Sequence, residues 1–399
     1  MKRIIFLSQG FPDIKKTTHL YTDLMHEFLS QGHDVLVLAP DLDGSKKAEM
    51  VTESGMKIIR VPIFGLYGKS KILKGLSNIL LPIQYKRVLK KLKVDLNFDL
   101  IIMPTPPITL VNIALWLKKK SGAPLYLILR DIFPQNAVDL KLMKKNGIIH
   151  SYFRKKEIEL YREADKIGCM SPENISYVKK HNPEIAIEKL HLLPNWEQLH
   201  KMDTDFDEEA IRSRYKLENK IIAIFGGSIG LPQRMENIIE LAAQCTELKD
   251  LVFFIVGRGT ERDKISTLVT KLELENVIIR SSLPRPDYNK ILQIADIGLI
   301  SLNEDFSIPN FPSKVVSYYG YKKPVLASVD KNTDFGKIQE QIKCGFWSEA
   351  GNTAALKTNL LKLYNDKKLR KKMGKNGHNY MINNLLPKHA YAIIKEQMF

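Results

Sequence analysis

The sequence lacks the features that would place it across a membrane. No run of about 18 consecutive apolar residues, the length that a membrane-spanning helix needs, occurs in its 399 residues. The apolar run after Met1-Lys2-Arg3 covers only residues 4–7, which is too short for a secretory signal and instead predicts a first buried strand. We therefore expect a cytoplasmic protein without a transmembrane segment.

Cysteine is scarce as well, with three residues that stand far apart at Cys169, Cys245 and Cys344. No two of them have the spacing of a metal site or a redox pair, and an odd number argues against a disulfide framework. The chain is therefore suited to a reducing compartment. Its apolar share of 44% and charged share of 26% are typical of a soluble globular protein, and its length suits two domains with separate cores.

Acidic residues are the third scarcity. The formal net charge is +17, and residues 51–150 alone hold 17 Lys and Arg against 5 Asp and Glu. A positive field concentrated in this way attracts nucleic acid, anionic lipid or phosphorylated substrates. General solubility is the alternative explanation.

Much of this excess falls on residues 63–93, where leucines and isoleucines alternate with lysines. A basic amphipathic surface of this kind can lie on anionic lipid, with each basic residue contributing about 1 kcal/mol. The charged face of an ordinary packed helix is the alternative. We predict a peripheral contact with the inner face of the cell membrane, made by Phe64, Leu66, Tyr67, Lys69, Lys71, Lys74, Lys86, Arg87, Lys90, Lys91 and Lys93.

Short apolar runs alternate with stretches of helical spacing in both halves of the chain. This alternation predicts an α/β fold with two doubly wound, Rossmann-like domains that face each other across a cleft. We predict an N-terminal domain over residues 1–200, a C-terminal domain over residues 201–380, and a C-terminal helix over residues 381–399 that packs back on the N-terminal domain. The predicted strands cover residues 3–8, 34–39, 57–61, 100–103, 125–129, 220–225, 251–256, 277–279, 297–301 and 324–327.

Ligands of parallel sheets bind at loops that follow the carboxyl ends of the strands. Glycine in such a loop lets the backbone approach a ligand closely, and the N–H groups of the next helix suit a phosphate. Neither candidate loop matches a full P-loop or dinucleotide-binding pattern, so plain strand-to-helix turns are an alternative. The two loops contain Gly10 with Thr17, Thr18 and His19, and Gly227 and Ser228 with Arg234.

Charged residues at two further strand ends are candidates for chemistry. Arg130 and Asp131 directly follow a predicted strand, where they either form an ion pair or a helix cap, or place Asp131 against a ligand hydroxyl or a developing positive charge. Ser313 can cap the helix that precedes the last predicted strand, and Lys314 lies in its first turn. Because a lysine is unfavourable at that end of a helix dipole, we expect an anionic partner such as a diphosphate; a solvent-facing lysine is the alternative.

Short motifs in a specific order connect these segments. They are Ser8-Gln9-Gly10-Phe11-Pro12, Gly32-His33-Asp34-Val35, Pro104-Thr105-Pro106-Pro107, Arg130-Asp131-Ile132-Phe133-Pro134, Pro194-Asn195, Phe225-Gly226-Gly227-Ser228-Ile229-Gly230, Val256-Gly257-Arg258-Gly259, Pro312-Ser313-Lys314 and Lys323-Pro324-Val325-Leu326-Ala327-Ser328. Through these motifs the chain resembles GT-B fold glycosyltransferases of family 4, in the branch that includes L-fucosamine transferases of bacterial surface polysaccharide assembly.

The resemblance implies a retaining glycosyltransferase that needs neither a metal nor a cofactor. It implies a nucleotide-sugar donor, UDP-linked, on the C-terminal domain and a lipid-linked or polysaccharide acceptor on the N-terminal domain. It also implies that the departing diphosphate helps to deprotonate the acceptor hydroxyl. The residues assigned in this way are Asp131, Arg234 and Lys314 for catalysis; Gly10, Gly227, Ser228, Gly257, Arg258, Leu283, Asn310, Ser313 and Ser317 for the donor; and Thr17, Thr18, His19, Arg130, Ser171 and Glu173 for the acceptor.

The sequence departs from this family at two points. The arginine and lysine that usually follow the first strand of the C-terminal domain are reduced to Arg234. The family carries two glutamates eight positions apart before the last predicted strand, and counting back from Pro324 places them at Ser317 and near Pro309, neither of which is acidic. Ser317 could offer the donor ribose only a weaker hydroxyl contact.

Two other classes of function stay open. A nucleotide-sugar epimerase of the same layout would need acid and base groups in the cleft, for which Asp131 and Glu173 are the candidates. A nucleic-acid-binding protein is suggested only by the charge. Because the basic residues lie beside leucines rather than base-stacking aromatic residues, we expect no nucleic acid partner.

Overall fold

A computed structural model describes residues 1–14, 17–41, 47–63, 71–200, 202–203 and 205–399, with only the backbone described for residues 71–74. The chain divides into two units. Unit 1 comprises Met1–Gln198 together with Pro387–Phe399, and unit 2 comprises Leu199–Leu386. The segment that returns to unit 1 therefore begins at Pro387, six residues later than the predicted residue 381.

Within the described residues the strands are β1 (Arg3–Leu7), β2 (Asp34–Pro40), β3 (Glu49–Glu53), β4 (Met56–Val61), β5 (Leu100–Pro104), β6 (Leu125–Leu129), β7 (Lys166–Cys169), β8 (Leu190–Leu192), β9 (Ile221–Gly226), β10 (Leu251–Val256), β11 (Val277–Arg280), β12 (Ile297–Ser301), β13 (Val325–Val329) and β14 (Gly345–Glu349). The α-helices of the same residues are α1 (Leu20–Ser30), α2 (Lys71–Lys91), α3 (Val111–Ser121), α4 (Gln135–Asp139), α5 (Ile148–Glu163), α6 (Pro172–His181), α7 (Glu208–Tyr215), α8 (Glu236–Ala243), α9 (Arg262–Lys271), α10 (Arg285–Ile294), α11 (Lys314–Gly320), α12 (Phe335–Ile342), α13 (Thr353–Asn365), α14 (Lys367–Asn384) and α15 (Pro387–Met398).

Unit 1 is built on a sheet with the strand order β3-β4-β2-β1-β5-β6-β7-β8 in the described part of the chain. All pairs are parallel except β3 with β4, which form an antiparallel edge. The strands β5 and β6 are buried at every residue. Such uniformly apolar strands form where helices cover both faces of a parallel sheet. The carboxyl ends of β1, β5, β6 and β7 consequently meet at one edge.

The helix α15 completes one face of unit 1 by packing on α1. Tyr391 packs edge-on against Phe28 with ring centroids 4.9 Å apart, and its hydroxyl lies 2.9 Å from Nε2 of His33. Ile394 is fully buried in the same core cluster. Residues from the two ends of the described chain therefore share one core.

Unit 2 has a parallel sheet with the order β11-β10-β9-β12-β13-β14 in the region described. Numbered within the unit, this is the order 3-2-1-4-5-6 of doubly wound nucleotide-binding folds. The direction of winding reverses between β9 and β12, and ligands of such sheets bind outside the carboxyl ends at this point. The loops after β9 and β12 are therefore the expected location of a ligand.

All ten strands predicted from the sequence are confirmed, three of them (β6, β10 and β12) at the predicted bounds. Among the described residues, no helix combines the length and the apolar character that crossing a bilayer would require.

Candidate active site

The glycine loop after β9 in unit 2 is joined to the loop after β10 by backbone hydrogen bonds. The N–H of Gly227 donates to the carbonyl of Val256, and the N–H of Ile229 donates to the carbonyl of Arg258, each at 2.9 Å. A Cβ at Gly257 would lie 1.9 Å from the carbonyl oxygen of Gly227. Only glycine permits this approach, so Gly257 shapes the loop that carries Gly227 and Ser228. Ser228 itself is exposed at the tip of this loop.

Lys314 extends over the same loop. Its Cε lies 3.3 Å, and its Nζ 3.8 Å, from the position that a Cβ of Gly227 would occupy. The helix α11 starts at Lys314 and is seven residues long, with Ser317 one turn further on. The expected capping bond from Ser313 is not formed to any described residue, because Ser313 adopts a helical conformation with φ −61° and ψ −25° instead of the extended one of a cap.

Arg234 begins the segment that leads into α8, and its backbone is fixed by the end of β12. The Oγ of Ser301 donates to the Arg234 carbonyl at 3.0 Å, and Arg234 has a positive φ of 36°. The guanidinium forms an ion pair with Glu304, which follows β12. Arg234 was predicted to offer a cation to a phosphate, and the structure shows that a carboxylate already accompanies it. No motif or periodicity in the sequence points to Glu304.

The loops after β9 and β12 are joined at the reversal point of the sheet. The N–H of Asn303 donates to the carbonyl of Pro232 at 2.9 Å, and its side-chain amide donates to the carbonyl of Leu231 at 3.1 Å. Further along, the carbonyl of Asn310 accepts a bond from Oγ1 of Thr333 at 2.5 Å. The buried Nδ2 of Asn310 makes no hydrogen bond to a residue that the structure describes. A ligand oxygen could accept this bond.

Two predicted donor residues lie on the other side of the glycine loop. Arg258 is exposed, and its Nη2 donates to Oγ of Ser282 at 2.8 Å. Leu283, in the loop after β11, is half-buried and packs on the core of unit 2. The loops after β9, β10, β11 and β12 thus bring together most of the residues predicted for the donor. Gly10 is the exception, because it belongs to unit 1.

In unit 1, Arg130 and Asp131 follow β6 and are held by Thr105 at the end of β5. The Thr105 hydroxyl accepts from the Arg130 N–H and donates to the Asp131 carbonyl, both at 3.2 Å. Burial raises the pKa of Asp131 to about 6, although a 2.7 Å hydrogen bond from Nδ2 of Asn136 opposes the rise. Asp131 is therefore a carboxyl group whose charge changes near neutral pH.

The guanidinium of Arg130 lies over the ring of Trp196, 6.0 Å from its centroid. Burial lowers the pKa of Arg130. Its Nη1 is buried and makes no hydrogen bond within the described part of the chain. Arg130 and Asp131 do not form the ion pair that the sequence left as one alternative, since no contact between their charged groups occurs among the ion pairs of the described residues. An anionic or hydroxyl-bearing ligand would satisfy the Arg130 donor.

His19 caps α1 and fixes the loop after β1. Its Nδ1 accepts from the N–H of Thr22 at 3.2 Å, so in the neutral ring Nε2 carries the proton and donates to the carbonyl of Gly10 at 3.3 Å. Burial lowers the pKa of His19, which favours this neutral form. The ring packs edge-on against Tyr21, whose pKa is raised by burial and is also influenced by Arg130 and Asp131. The start of α1 adjoins the Arg130–Asp131 segment through Trp196, whose Nε1 donates to the carbonyl of Leu20 at 2.7 Å and whose ring packs against the Arg130 guanidinium.

A buried ion pair anchors the same loop from the other side. The Arg60 guanidinium pairs with Glu53 at 2.8 Å and donates to the carbonyls of Phe11 and Pro12. Thr17 and Thr18, further along, are exposed. The ion pair holds the loop at residues 11 and 12 and does not cover Thr17 and Thr18, so a ligand can reach the two threonines.

Ser171 and Glu173 lie after β7, at the same edge of the sheet. The Oγ of Ser171 is buried and accepts from the N–H of Asn174 at 3.4 Å as the cap of α6. Glu173 is exposed in the first turn of that helix. The structure thus gives Ser171 a capping role and leaves Glu173 accessible.

The predicted basic surface corresponds largely to α2. Phe64, Leu66, Tyr67 and Lys69 lie outside the described residues, as do the side chains of Lys71 and Lys74. The next turns expose four apolar residues at helical spacing: Leu76, Ile79, Leu80 and Ile83. Arg87, Lys90 and Lys91 are exposed on the last turns and Lys93 just after the helix. Lys86 is half-buried, with its amine 5.2 Å from the ring centroid of Trp116.

The described residues contain no group of three or more His, Cys, Asp or Glu side chains that could hold a metal ion. That the reaction needs no metal stays a prediction.

Comparison with known families agrees with this geometry. Residues 18–196 match the family model described as Glycosyltransferase Family 4, and residues 207–380 match the one described as Glycosyl transferases group 1. The first match falls within unit 1 and the second within unit 2.

Two curated relatives carry related names. The chain is 22% identical over 261 residues to the probable glycosyltransferase WbjE of Pseudomonas aeruginosa, covering 65% of this chain and 64% of the relative. It is 25% identical over 236 residues to the putative colanic acid biosynthesis glycosyl transferase WcaI of Escherichia coli, covering 56% of each. The chain thus matches less than two thirds of the length of either relative.

Solved structures share the fold across the whole chain. Sucrose-phosphate synthase from Thermosynechococcus elongatus has a TM-score of 0.76 at 14% identity and covers 99% of this chain and 98% of its own. Anabaena HepE in complex with UDP and glucose has a TM-score of 0.71 at 15% identity and covers 99% of both chains. The protein therefore has the GT-B fold. Unit 1 is a glycosyltransferase family 4 domain and unit 2 is a glycosyl transferases group 1 domain. The protein is therefore a GT-B glycosyltransferase.

Proposed function

We propose that the protein transfers a sugar from a UDP-linked donor to a lipid-linked or polysaccharide acceptor in surface polysaccharide assembly. The observation that carries the proposal is the position of Lys314 over Gly227, at the point where the sheet of unit 2 reverses its winding. A fixed cation beside a glycine loop is suited to a diphosphate. HepE, which was solved with UDP and glucose, supports a uridine donor.

In this proposal unit 2 binds the donor. Lys314 and the N–H of Ser228 contact the diphosphate, Arg234 adds charge from the neighbouring loop, and Asn310 donates to a hydroxyl of the sugar. Leu283 packs against the base, and Ser317 offers its hydroxyl to the ribose. The remaining donor residues of unit 2, Gly257, Arg258 and Ser313, shape or border this site, whereas Gly10 belongs to unit 1.

Transfer proceeds with retention and without a metal or cofactor. The bond between the anomeric carbon and the diphosphate oxygen breaks, the acceptor oxygen bonds to that carbon on the same face, and the acceptor proton passes to the departing diphosphate. Lys314 stabilises the charge that develops on the leaving group, and stabilisation of this kind is often the main source of rate enhancement in enzymes. From unit 1, Asp131 supplies the negative charge that stabilises the positive charge developing on the sugar, while Arg130, His19 and Glu173 contact the acceptor.

We further propose that the protein lies on the cytoplasmic face of the cell membrane, where a lipid-linked acceptor is found. The exposed apolar turns of α2 and the basic residues of its last turns support this placement, because such a helix can bury its apolar face while its cations contact anionic head groups. The L-fucosamine branch of the family stays a prediction for the sugar that is transferred.

Calorimetric titration with UDP, GDP and dTDP tests the donor proposal, and the enzyme should bind UDP most tightly. Lys314→Ala should lower kcat about a hundredfold with the matching nucleotide sugar, the usual cost of losing one charge-stabilising group. Lys337→Ala removes an exposed lysine of α12 in the same unit and serves as the matched control. Wild-type turnover in Lys314→Ala would remove this residue from the mechanism, and a changed sugar configuration with donor alone would favour an epimerase.

A further inference from the structure

A second set of exposed apolar side chains lies in unit 1, away from α2. Ile148 is 92% exposed, Ile149 64% and Leu142 60%, and Tyr152 is also exposed. Isolated apolar residues on a surface are normal, but a group of this size within eleven residues marks an interaction site. We name these four residues the α5 tip, because they surround the start of α5.

The start of α5 lacks the features that usually stabilise the N-terminus of a helix. Gly147 precedes the helix and makes no side-chain capping bond, and the first two helical positions are β-branched isoleucines. The next helix, α6, is by contrast capped by Ser171. β-Branched residues lose side-chain freedom in a helix, and two that point into water gain nothing from packing. The two isoleucines therefore serve a purpose other than folding.

Charge identifies the kind of partner that the α5 tip suits. Residues 140–156 contain six Lys and Arg and no Asp or Glu. Lys144, Lys145 and Lys155 are exposed around the tip, whereas Arg154 and Lys156 are paired with Glu157 and Glu159. A groove of about 670 Å³ runs along the same helix, lined in part by Asn146, Ser151 and Lys155. Apolar side chains surrounded by cations suit an anionic lipid bilayer, which has an apolar interior beneath negatively charged head groups.

The fold places the α5 tip on the same face of unit 1 as α2. The helices α2, α3 and α5 pack side by side, and the short helix Ile108–Leu110 contacts both α2 and α5. Two hydrogen bonds join the row: Oγ1 of Thr109 to the carbonyl of Asn78 at 2.6 Å, and Nζ of Lys156 to Oδ1 of Asn112 at 2.7 Å.

Both helices also start at the same edge of the sheet. Each follows the carboxyl end of a strand, α2 after β4 and α5 after β6, and crossover helices run back from that edge. The start of α2 and the α5 tip therefore lie along one edge of one face, and the exposed apolar residues of α2 follow from its second turn onward.

We propose that the α5 tip is a second bilayer contact, which inserts Ile148 and Ile149 between anionic lipids while Lys144, Lys145 and Lys155 hold the head groups. With α2 it forms a two-point contact that fixes the carboxyl edge of the unit 1 sheet against the membrane. A single helix on a bilayer can roll about its axis, and a second contact beyond α3 prevents this. The proposal rests on the proposed function in so far as a lipid-linked acceptor calls for membrane contact.

Sedimentation with vesicles of phosphatidylcholine, with and without phosphatidylglycerol, tests the proposal without any sugar transfer. The double variant Ile148→Ser/Ile149→Ser should bind the anionic vesicles about tenfold to a hundredfold more weakly, because two largely exposed side chains lose their insertion energy. The matched control is Ile187→Ser/Leu192→Ser, which removes two exposed aliphatic residues elsewhere in unit 1. Unchanged UDP affinity in both variants would show that the donor site of unit 2 is intact, and unchanged urea unfolding of unit 1 would show that the substituted unit is folded.

Two charge-reversal variants, one at the tip and one elsewhere, test the role of the cations separately. Lys144→Glu/Lys145→Glu should reduce binding to anionic vesicles by at least about tenfold, and Lys367→Glu/Lys368→Glu, at the exposed start of α14 in unit 2, should not. In addition, the emission of Ile149→Trp should shift to shorter wavelength on vesicles.

Wild-type vesicle binding by Ile148→Ser/Ile149→Ser, or no emission shift in Ile149→Trp, would overturn the proposal and leave the tip to a protein partner. If the wild-type protein binds vesicles but shows no affinity for UDP, only the proposed function is contradicted. The membrane contact and the proposed function can therefore fail independently.

Discussion

The buried carboxyl group of Asp131 should make the stability of unit 1 depend on pH. Its pKa rises from 3.8 in a model peptide to about 6 in the folded chain, chiefly through burial. The folded state therefore holds the proton more tightly than the unfolded state does. The resulting stabilisation is complete below about pH 4 and is lost as the pH rises through about 6.

The magnitude follows from the size of the shift. One pKa unit corresponds to about 1.4 kcal/mol, so keeping Asp131 ionised above pH 6 costs unit 1 about 3 kcal/mol at most. Asp131→Asn removes this cost and keeps an oxygen that can accept the bond from Asn136. We expect the variant to be up to about 3 kcal/mol more stable than the wild type near pH 8 and no more stable near pH 4.

Urea unfolding followed by tryptophan fluorescence measures this difference. Trp116 and Trp196 belong to unit 1 and Trp347 to unit 2, so a Trp347→Phe background restricts the signal to unit 1. Glu184→Gln neutralises an exposed carboxylate of the same unit and controls for the loss of one charge. Equal unfolding free energies of wild type and Asp131→Asn near pH 8, or a gain that persists near pH 4, would refute the reasoning.

Three further changes test other parts of the structure. Glu304→Gln frees Arg234 from its carboxylate and should raise UDP affinity about two- to fivefold in calorimetry; a weaker affinity would mean that Glu304 positions Arg234 rather than competing with the ligand. Gly257→Ala forces a Cβ against the carbonyl of Gly227 and should destabilise unit 2 by about 1–3 kcal/mol in thermal unfolding, whereas Gly10→Ala, with nothing within 4 Å of its Cβ, should be neutral. Arg60→Ala leaves the Glu53 carboxylate buried without its cation and should lower the free energy of unfolding in urea by about 3–5 kcal/mol. The double variant Arg60→Met/Glu53→Leu should recover most of this stability. A loss below about 1 kcal/mol in Arg60→Ala would contradict the role of the pair.

The parts of the fold that could be predicted are those with a strong local signal. The strands β6 and β10 are continuous apolar runs because helices cover both of their faces, and a run of this kind can be read from sequence alone. The edge strand β3, Glu49–Glu53, was missed because its residues are mostly exposed and polar. The strand β8 was missed because three residues carry too little pattern.

In the candidate site, too, some features could be predicted from the sequence and others could not. The closeness of Gly227 and Lys314 follows from strand order, since the loops after β9 and β12 meet wherever a doubly wound sheet reverses. The pairing of Arg234 with Glu304 depends on the path of an irregular loop, which no periodicity encodes. The α5 tip could not be predicted for a related reason: an Ile-Ile pair at the start of a helix resembles core sequence until its exposure is known.

The return of α15 to unit 1 has a consequence for how the protein is made. A ribosome that has produced residues 1–198 has not yet supplied Tyr391 and Ile394, so the surface of α1 that contains Phe28 stays uncovered. Unit 2, which is one continuous stretch of chain, is complete before Pro387–Met398 emerge. We expect unit 1 to be the later unit to reach its native state during synthesis, and a fragment that stops at residue 386 to aggregate through the bare side of α1.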